Sequence, residues 1–144
     1  MTKENKEIEF VIWAQAKLKE YDLHEWDLKV MLVSQLRQFF SNMGSRTNGI
    51  TFFGWKTIWM NQQFVYDYKL HTSKDLFLHE IAHALLPPSE GHNKKFRELC
   101  KSIGCHSIYA SNNHDIFDMY RTYDITEKQE IACCTAYMKR RGYM

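Results

Sequence analysis

Two histidines four residues apart bracket a glutamate in His79-Glu80-Ile81-Ala82-His83, and a third histidine follows in Gly91-His92-Asn93-Lys94-Lys95-Phe96. On a helix, residues four apart lie about 40° from one another around the axis. His79 and His83 therefore present two imidazoles on one face, where a single tetrahedral zinc takes both. Glu80, beside them, is in reach of a metal-bound water as general base. This is the H-E-x-x-H arrangement, whose chemistry is metal-assisted peptide hydrolysis. A third protein ligand is still required. His92 is placed to supply it if the chain turns back after Pro87-Pro88-Ser89-Glu90-Gly91, a short segment suited to turning. Glu90 and Glu98 remain alternatives. The longer H-E-x-x-H-x-x-G-x-x-H pattern is absent, because its glycine and final histidine positions hold Leu86 and Ser89. The expected cofactor is Zn2+, with Glu80 taking a proton from the attacking water and passing it to the leaving amine.

These groups need a helix beneath them. Thr72-Ser73-Lys74-Asp75 reads as its start, with Thr72 as N-cap, and Pro87-Pro88 stops it after Leu86, giving a helix over about 73–86. Leu78, Ile81, Ala82 and Leu85 follow i, i+3, i+4, i+7 and predict a half-buried helix with the histidines beside its apolar stripe. Asp75, one turn before His79, is a candidate to orient that imidazole. Upstream, residues 5–21 read as an amphipathic helix whose apolar side carries Ile8, Val11, Ile12 and Leu18. Trp26 to Leu32 alternates as a strand with one wet face. Leu36 to Phe40 is a possible short helix, and Met43 to Gly49 is a loop by composition. Ile50 to Phe53 and Trp55 to Met60 form two short strands or one bent strand. Downstream, a helix spans about 93–103, closed by Gly104, and a last helix runs over about 126–140. Residues 105–124 carry no clear signal. The fold class expected is α+β: a zincin-like single domain over 1–144, with a small antiparallel or mixed sheet packed on the metal-bearing helix. Trp55 to Met60 is the expected sheet edge beside the site, by analogy with other zincins.

Phe77-Leu78-His79-Glu80-Ile81-Ala82-His83-Ala84-Leu85-Leu86, followed by Gly91-His92-x-x-x-Phe96-Arg97, resembles the SprT-like zinc metallopeptidases, a family that includes bacterial SprT proteins, phage relatives and the protease domain of Spartan. Lys56 to Asn61 is similar to the strand that family places before its catalytic helix. The likeness covers roughly residues 8–110, and its specific part is 76–97. It implies His79, His83 and His92 as zinc ligands and Glu80 as the catalytic acid/base. The C-terminal zinc ribbon that many relatives build from two Cys-x-x-Cys pairs has no counterpart here, so the resemblance carries no substrate-targeting module.

The remaining composition narrows the partners. The chain has 144 residues, a net charge of +2 and 15% aromatic residues, including Trp13, Trp26, Trp55 and Trp59. That charge excludes a strongly electrostatic nucleic-acid binder while leaving room for a local patch. Lys94, Lys95, Arg97 and Lys101 make such a patch on the helix after His92, and the resemblance to Spartan makes DNA a candidate partner there. Cys100, Cys105, Cys133 and Cys134 form no regular framework and are expected as free, mostly buried thiols. No signal peptide or membrane-spanning run is legible, so a cytoplasmic location and no membrane partner are expected. Tyr109, His106 and His114 are candidates for an extra transition-state donor, with nothing to choose among them. The rival to an intracellular peptidase is a non-catalytic module in which zinc staples a DNA- or protein-binding domain, its fourth position closed by Cys105 or His106.

Overall fold

The computed structural model describes residues 2–38, 47–87 and 90–106. The expected helix over 126–140, together with Tyr109, His114, Cys133 and Cys134, lies outside the described residues. So does most of the expected loop over 43–49.

Among the described residues five helices and three strands make an α+β arrangement: α1 (Lys3–Glu20), β1 (Asp27–Met31), α2 (Val33–Leu36), β2 (Gly49–Phe52), β3 (Thr57–Asn61), α3 (Gln62–Asp67), α4 (Leu70–Ala84) and α5 (Lys94–Ser102). The sheet is mixed, in the order β1-β3-β2. β3 runs parallel to β1, pairing Leu28 with Ile58 and Val30 with Met60, and antiparallel to β2, pairing Gly49 with Met60 and Thr51 with Ile58. Ile50 to Met60 is thus two strands joined by a tight turn, and Lys56 takes its positive φ of 50° there. This topology overturns one expectation. The strand at Trp55 to Met60 is central, paired on both sides, and the edges are β1 and β2.

Side-chain alternation sorts the sheet into two faces. Leu28, Val30, Ile58 and Met60 point into the core with Phe10, Ala14 and Leu18 of α1, Val65 of α3, Phe77, Leu78, Ile81 and Ala82 of α4, and Phe96 of α5. By the same register, Gly49 and Thr51 lie on this helix-facing side. The opposite face holds Lys29, Met31, Ile50, Phe52 and Trp59, and it is buried too. From Leu28 to Met31, β1 is therefore buried on both faces, with Asp27 exposed at its start. Lys29 reaches burial by pairing its ammonium with Asp27 at 2.8 Å.

The apolar face of α1 also differs from the expectation. Ile8 and Ile12 are 55% and 65% exposed, whereas Phe10, Ala14 and Leu18 are buried. The reason is aromatic packing: Phe10 and Trp13 meet Phe77 edge-on with centroids 5.8 and 5.9 Å apart, burying more surface than the isoleucines offer. α1 ends as a Schellman motif, with Leu23 N–H on the Leu18 carbonyl at 2.8 Å and Asp22 at φ 58°. Lys6 caps the end of α3, a helix with no clear signal in the sequence, by donating to the carbonyls of Tyr66 and Tyr68.

Candidate metal centre

α4 carries the first two histidines. It begins at Leu70 with Lys69 as N-cap, three residues ahead of the expected start, so Thr72 lies inside the helix. Asp75 consequently has no capping role; its Oδ1 accepts the backbone N–H of His106 at 2.6 Å. Leu85 is the C-cap, and Pro87 lies just beyond it. Every residue from Phe77 to His83 is buried, so this segment is enclosed all round rather than on one stripe. The cause is position: α4 lies between α1 and β2 and meets α5 at its C-terminal half.

The third histidine comes back from the loop. Glu90 N–H closes a turn on the Pro87 carbonyl at 3.0 Å. Asn93 then caps α5, its Oδ1 accepting the Phe96 N–H at 3.0 Å. Arg97 Nη1 donates to the His92 carbonyl at 2.7 Å, tying the residue just before the helix to its first turn. The outcome is convergence: His92 Nε2 lies 3.0 Å from His79 Nε2 and 3.2 Å from His83 Nε2. The two alternatives for the third position do other work. Glu90 engages the Asn93 amide, and Glu98, 66% exposed, faces Lys94 at 3.9 Å.

Three imidazole nitrogens turned on one point form a group able to hold a cation. A neutral imidazole has one donor and one acceptor nitrogen, so three Nε2 atoms at mutual contact cannot all satisfy one another. Their lone pairs suit a metal ion, and His79, His83 and His92 form a group able to hold one. Phe96, fully buried, forms the floor. Its ring stacks on His83 at 4.2 Å and stands edge-on to His79 and His92 at 4.9 and 5.0 Å. The aromatic wall fixes three ring planes at once, a role the sequence reading left unassigned.

Glu80 is buried beside this cluster and faces β2. Thr51 Oγ1 lies 3.2 Å from Glu80 Oε2 and 3.1 Å from the Glu80 carbonyl oxygen. Gly49 adjoins the same side chain: a Cβ there would stand 3.3 Å from Glu80 Cγ. The edge strand next to the centre is therefore β2. Neither Thr51 nor Gly49 was singled out from sequence, and the available signal was only a glycine and a threonine two apart on a short strand.

A second ligand group adjoins the first. Cys100 and Cys105, both buried thiols, form with His79 another set able to hold a metal ion. Local geometry explains the two sulfurs without an ion. α5 ends in a Schellman motif, with Cys105 N–H on the Cys100 carbonyl at 2.8 Å and Gly104 at φ 85°. Cys100 and Cys105 occupy the two positions whose apolar contact accompanies that motif. An open cleft lined by His71, Lys74, Asp75, Leu78, Gly104 and His106 lies over the first half of α4 and includes none of the three converging histidines. Among the described residues no helix is long and apolar enough to cross a membrane.

Searches of protein-family models, curated proteins and solved structures return no match to this chain.

Proposed function

We propose that the chain is a zinc-dependent endopeptidase of the SprT-like type. The observation that carries this reading is the convergence of His79, His83 and His92 beside a buried Glu80 carboxylate. Zinc at about 2.0–2.1 Å from each nitrogen sets tetrahedral ligands about 3.3 Å apart, close to the 3.0 and 3.2 Å between these nitrogens. Three neutral imidazoles suit zinc in its catalytic form, which keeps one position open. When bound, the ion supplies Lewis-acid polarisation of a peptide carbonyl and of water.

The chain's own groups do the rest. His79, His83 and His92 would hold the ion, and Phe96, packed against all three rings, would fix the orientation of each. Glu80 accepts the proton of the attacking water and delivers it to the amine of the leaving peptide. Residues 76–97 carry the family's motif in order, which supports the peptidase over a nucleic-acid hydrolase on the same ligands. Lys94, Lys95 and Lys101 are exposed on α5, the helix that follows His92, and a DNA backbone is the partner this face suits. Proteins held on DNA are then the substrate class. The competing reading, zinc as a structural staple, draws on Cys100 and Cys105 beside His79. It assigns no task to the buried carboxylate of Glu80.

The test compares wild type with Glu80→Gln, both zinc-loaded, for cleavage of a basic DNA-binding protein with and without single-stranded DNA. The expected result is equal zinc content, cleavage by wild type alone, and stimulation by DNA. Cleavage indifferent to DNA would retain the peptidase and remove the DNA partner. Full activity in Glu80→Gln would falsify the mechanism, and no cleavage by zinc-loaded wild type would favour the staple.

A further inference from the structure

We infer that Thr51 is a positioning residue for Glu80, holding the carboxylate of the base against β2 so that its orientation is fixed for proton transfer. This rests on the peptidase reading above. The evidence is a buried contact between an edge strand and the helix that carries the metal ligands. Thr51 is 0% exposed, and its Oγ1 stands 3.2 Å from Glu80 Oε2 and 3.1 Å from the Glu80 carbonyl oxygen. A threonine hydroxyl has one proton to give. Both oxygens within reach belong to Glu80, so that proton goes to this residue by either route.

The consequence follows from what a general base needs. A buried carboxylate has two equivalent oxygens and rotates about its last torsion through a broad, roughly two-fold well. A donor on Oε2 breaks that symmetry and fixes the rotation of the carboxylate. Backbone geometry supports the arrangement from below. Gly49, two residues earlier on the same face of β2, leaves the space in which the Glu80 side chain lies, with 3.3 Å to Cγ and 3.5 Å to Oε1 from a Cβ built there. A glycine that admits the side chain and a threonine that holds its tip form one cradle on β2. The Glu80 carbonyl is the alternative acceptor for the same proton, and a bond there would give Thr51 a purely structural use, joining strand to helix. The test must separate the two.

Thr51→Val removes the hydroxyl and keeps the branched shape. Thr51→Ser keeps the hydroxyl and removes a methyl group. In the zinc-loaded protein, kcat is expected to fall about tenfold in Thr51→Val, the scale of one charge-assisted hydrogen bond. KM and zinc content should stay unchanged, and Thr51→Ser should recover most of the loss. A purely structural strand-to-helix tie would instead appear as a lower unfolding temperature with kcat per bound zinc unaltered, and that result overturns the proposal. A second readout needs neither metal nor turnover: the side-chain carboxyl 13C resonance of Glu80 in the zinc-free protein. It is expected to move in Thr51→Val and return in Thr51→Ser, and a resonance that stays put also overturns the proposal. A resonance that responds while zinc-loaded wild type cleaves nothing would preserve the contact. It would remove the peptidase reading, and the positioning role with it.

Discussion

Gly49→Ala should separate stability from activity. At this position a Cβ would meet Glu80 Cγ at 3.3 Å, Cδ at 3.5 Å and Oε1 at 3.5 Å. Optimal carbon–carbon separation is about 3.5–4.0 Å, so the Glu80 side chain must retreat by a few tenths of an ångström, to roughly 0.5 Å. Gly104 alone among the described glycines has a positive φ, so Gly49 needs no left-handed backbone and alanine fits its extended conformation. Alanine also restricts the unfolded chain, a gain of about 0.4–1 kcal/mol that offsets the crowding. Net stability should therefore change by less than about 1 kcal/mol. Catalysis has no such compensation. A misplacement of about 1 Å near the reacting groups costs about a hundredfold, so roughly half of that distance costs about tenfold. The assay is steady-state peptide cleavage per bound zinc, alongside thermal unfolding of the metal-free protein. Gly49→Val, with two further methyl groups toward the same carboxylate, should lose more. Unchanged kcat in both variants, with zinc content preserved, would refute the claim that β2 sets the base.

Three further outcomes are expected. Phe96→Ala removes a fully buried ring that touches all three imidazoles; it should cost about 3–5 kcal/mol in urea unfolding and weaken zinc binding in a competitive-chelator titration. Ser73→Ala should be neutral or stabilising by up to about 1 kcal/mol, because Ser73 Oγ is buried without a hydrogen-bond partner among the described residues; a drop in unfolding temperature would show that the hydroxyl is used. Arg97→Gln should weaken zinc binding by about tenfold or more, since Arg97 holds the carbonyl of His92, whereas charge reversal at Lys94 and Lys95 should lower DNA affinity and spare zinc. Equal effects of the two changes on zinc would remove the distinction.

The parts of this site that lie on one helix or its next turn were legible because they obey local rules. Four-residue spacing brings His79 and His83 together whatever surrounds the helix, and Pro87 ends the helix close to where sequence places its stop. Asn93 before an apolar periodic run marks the start of α5, and Gly104 marks its end, so the return of His92 to the centre follows from a short loop between two punctuated helices. The start of α4 was misread for a related reason. Thr72 and Asp75 have the side chains of a capping box, but the segment continues upstream as helix because Leu70 packs against the core and Lys69 takes the cap without a side-chain bond. Capping residues are a preference of about 1 kcal/mol, a scale that even the partial burial of Leu70 can match.

What lay beyond the sequence depends on which strand neighbours which. A run such as Thr57 to Asn61 reads equally well as an edge or a centre, because β propensity reports a pleated, buried surface and not a place in the sheet. Once β3 is central, β2 becomes the strand against α4, and the alternation of Gly49, Ile50, Thr51 and Phe52 acquires meaning. The outer pair, Ile50 and Phe52, is buried on the far face, while the inner pair, Gly49 and Thr51, meets Glu80. The misassigned stripe on α1 has the same origin. Ile8 and Ile12 share a helical face with Val11 on periodicity alone, yet Phe77 of α4 selects Phe10 and Trp13. In each case a partner distant in sequence chose between faces that local pattern left equivalent. The cradle around Glu80 belongs to this class: helix α4 brings His79, His83 and Glu80 together, but only pairing with a separate strand decides how that carboxylate is held.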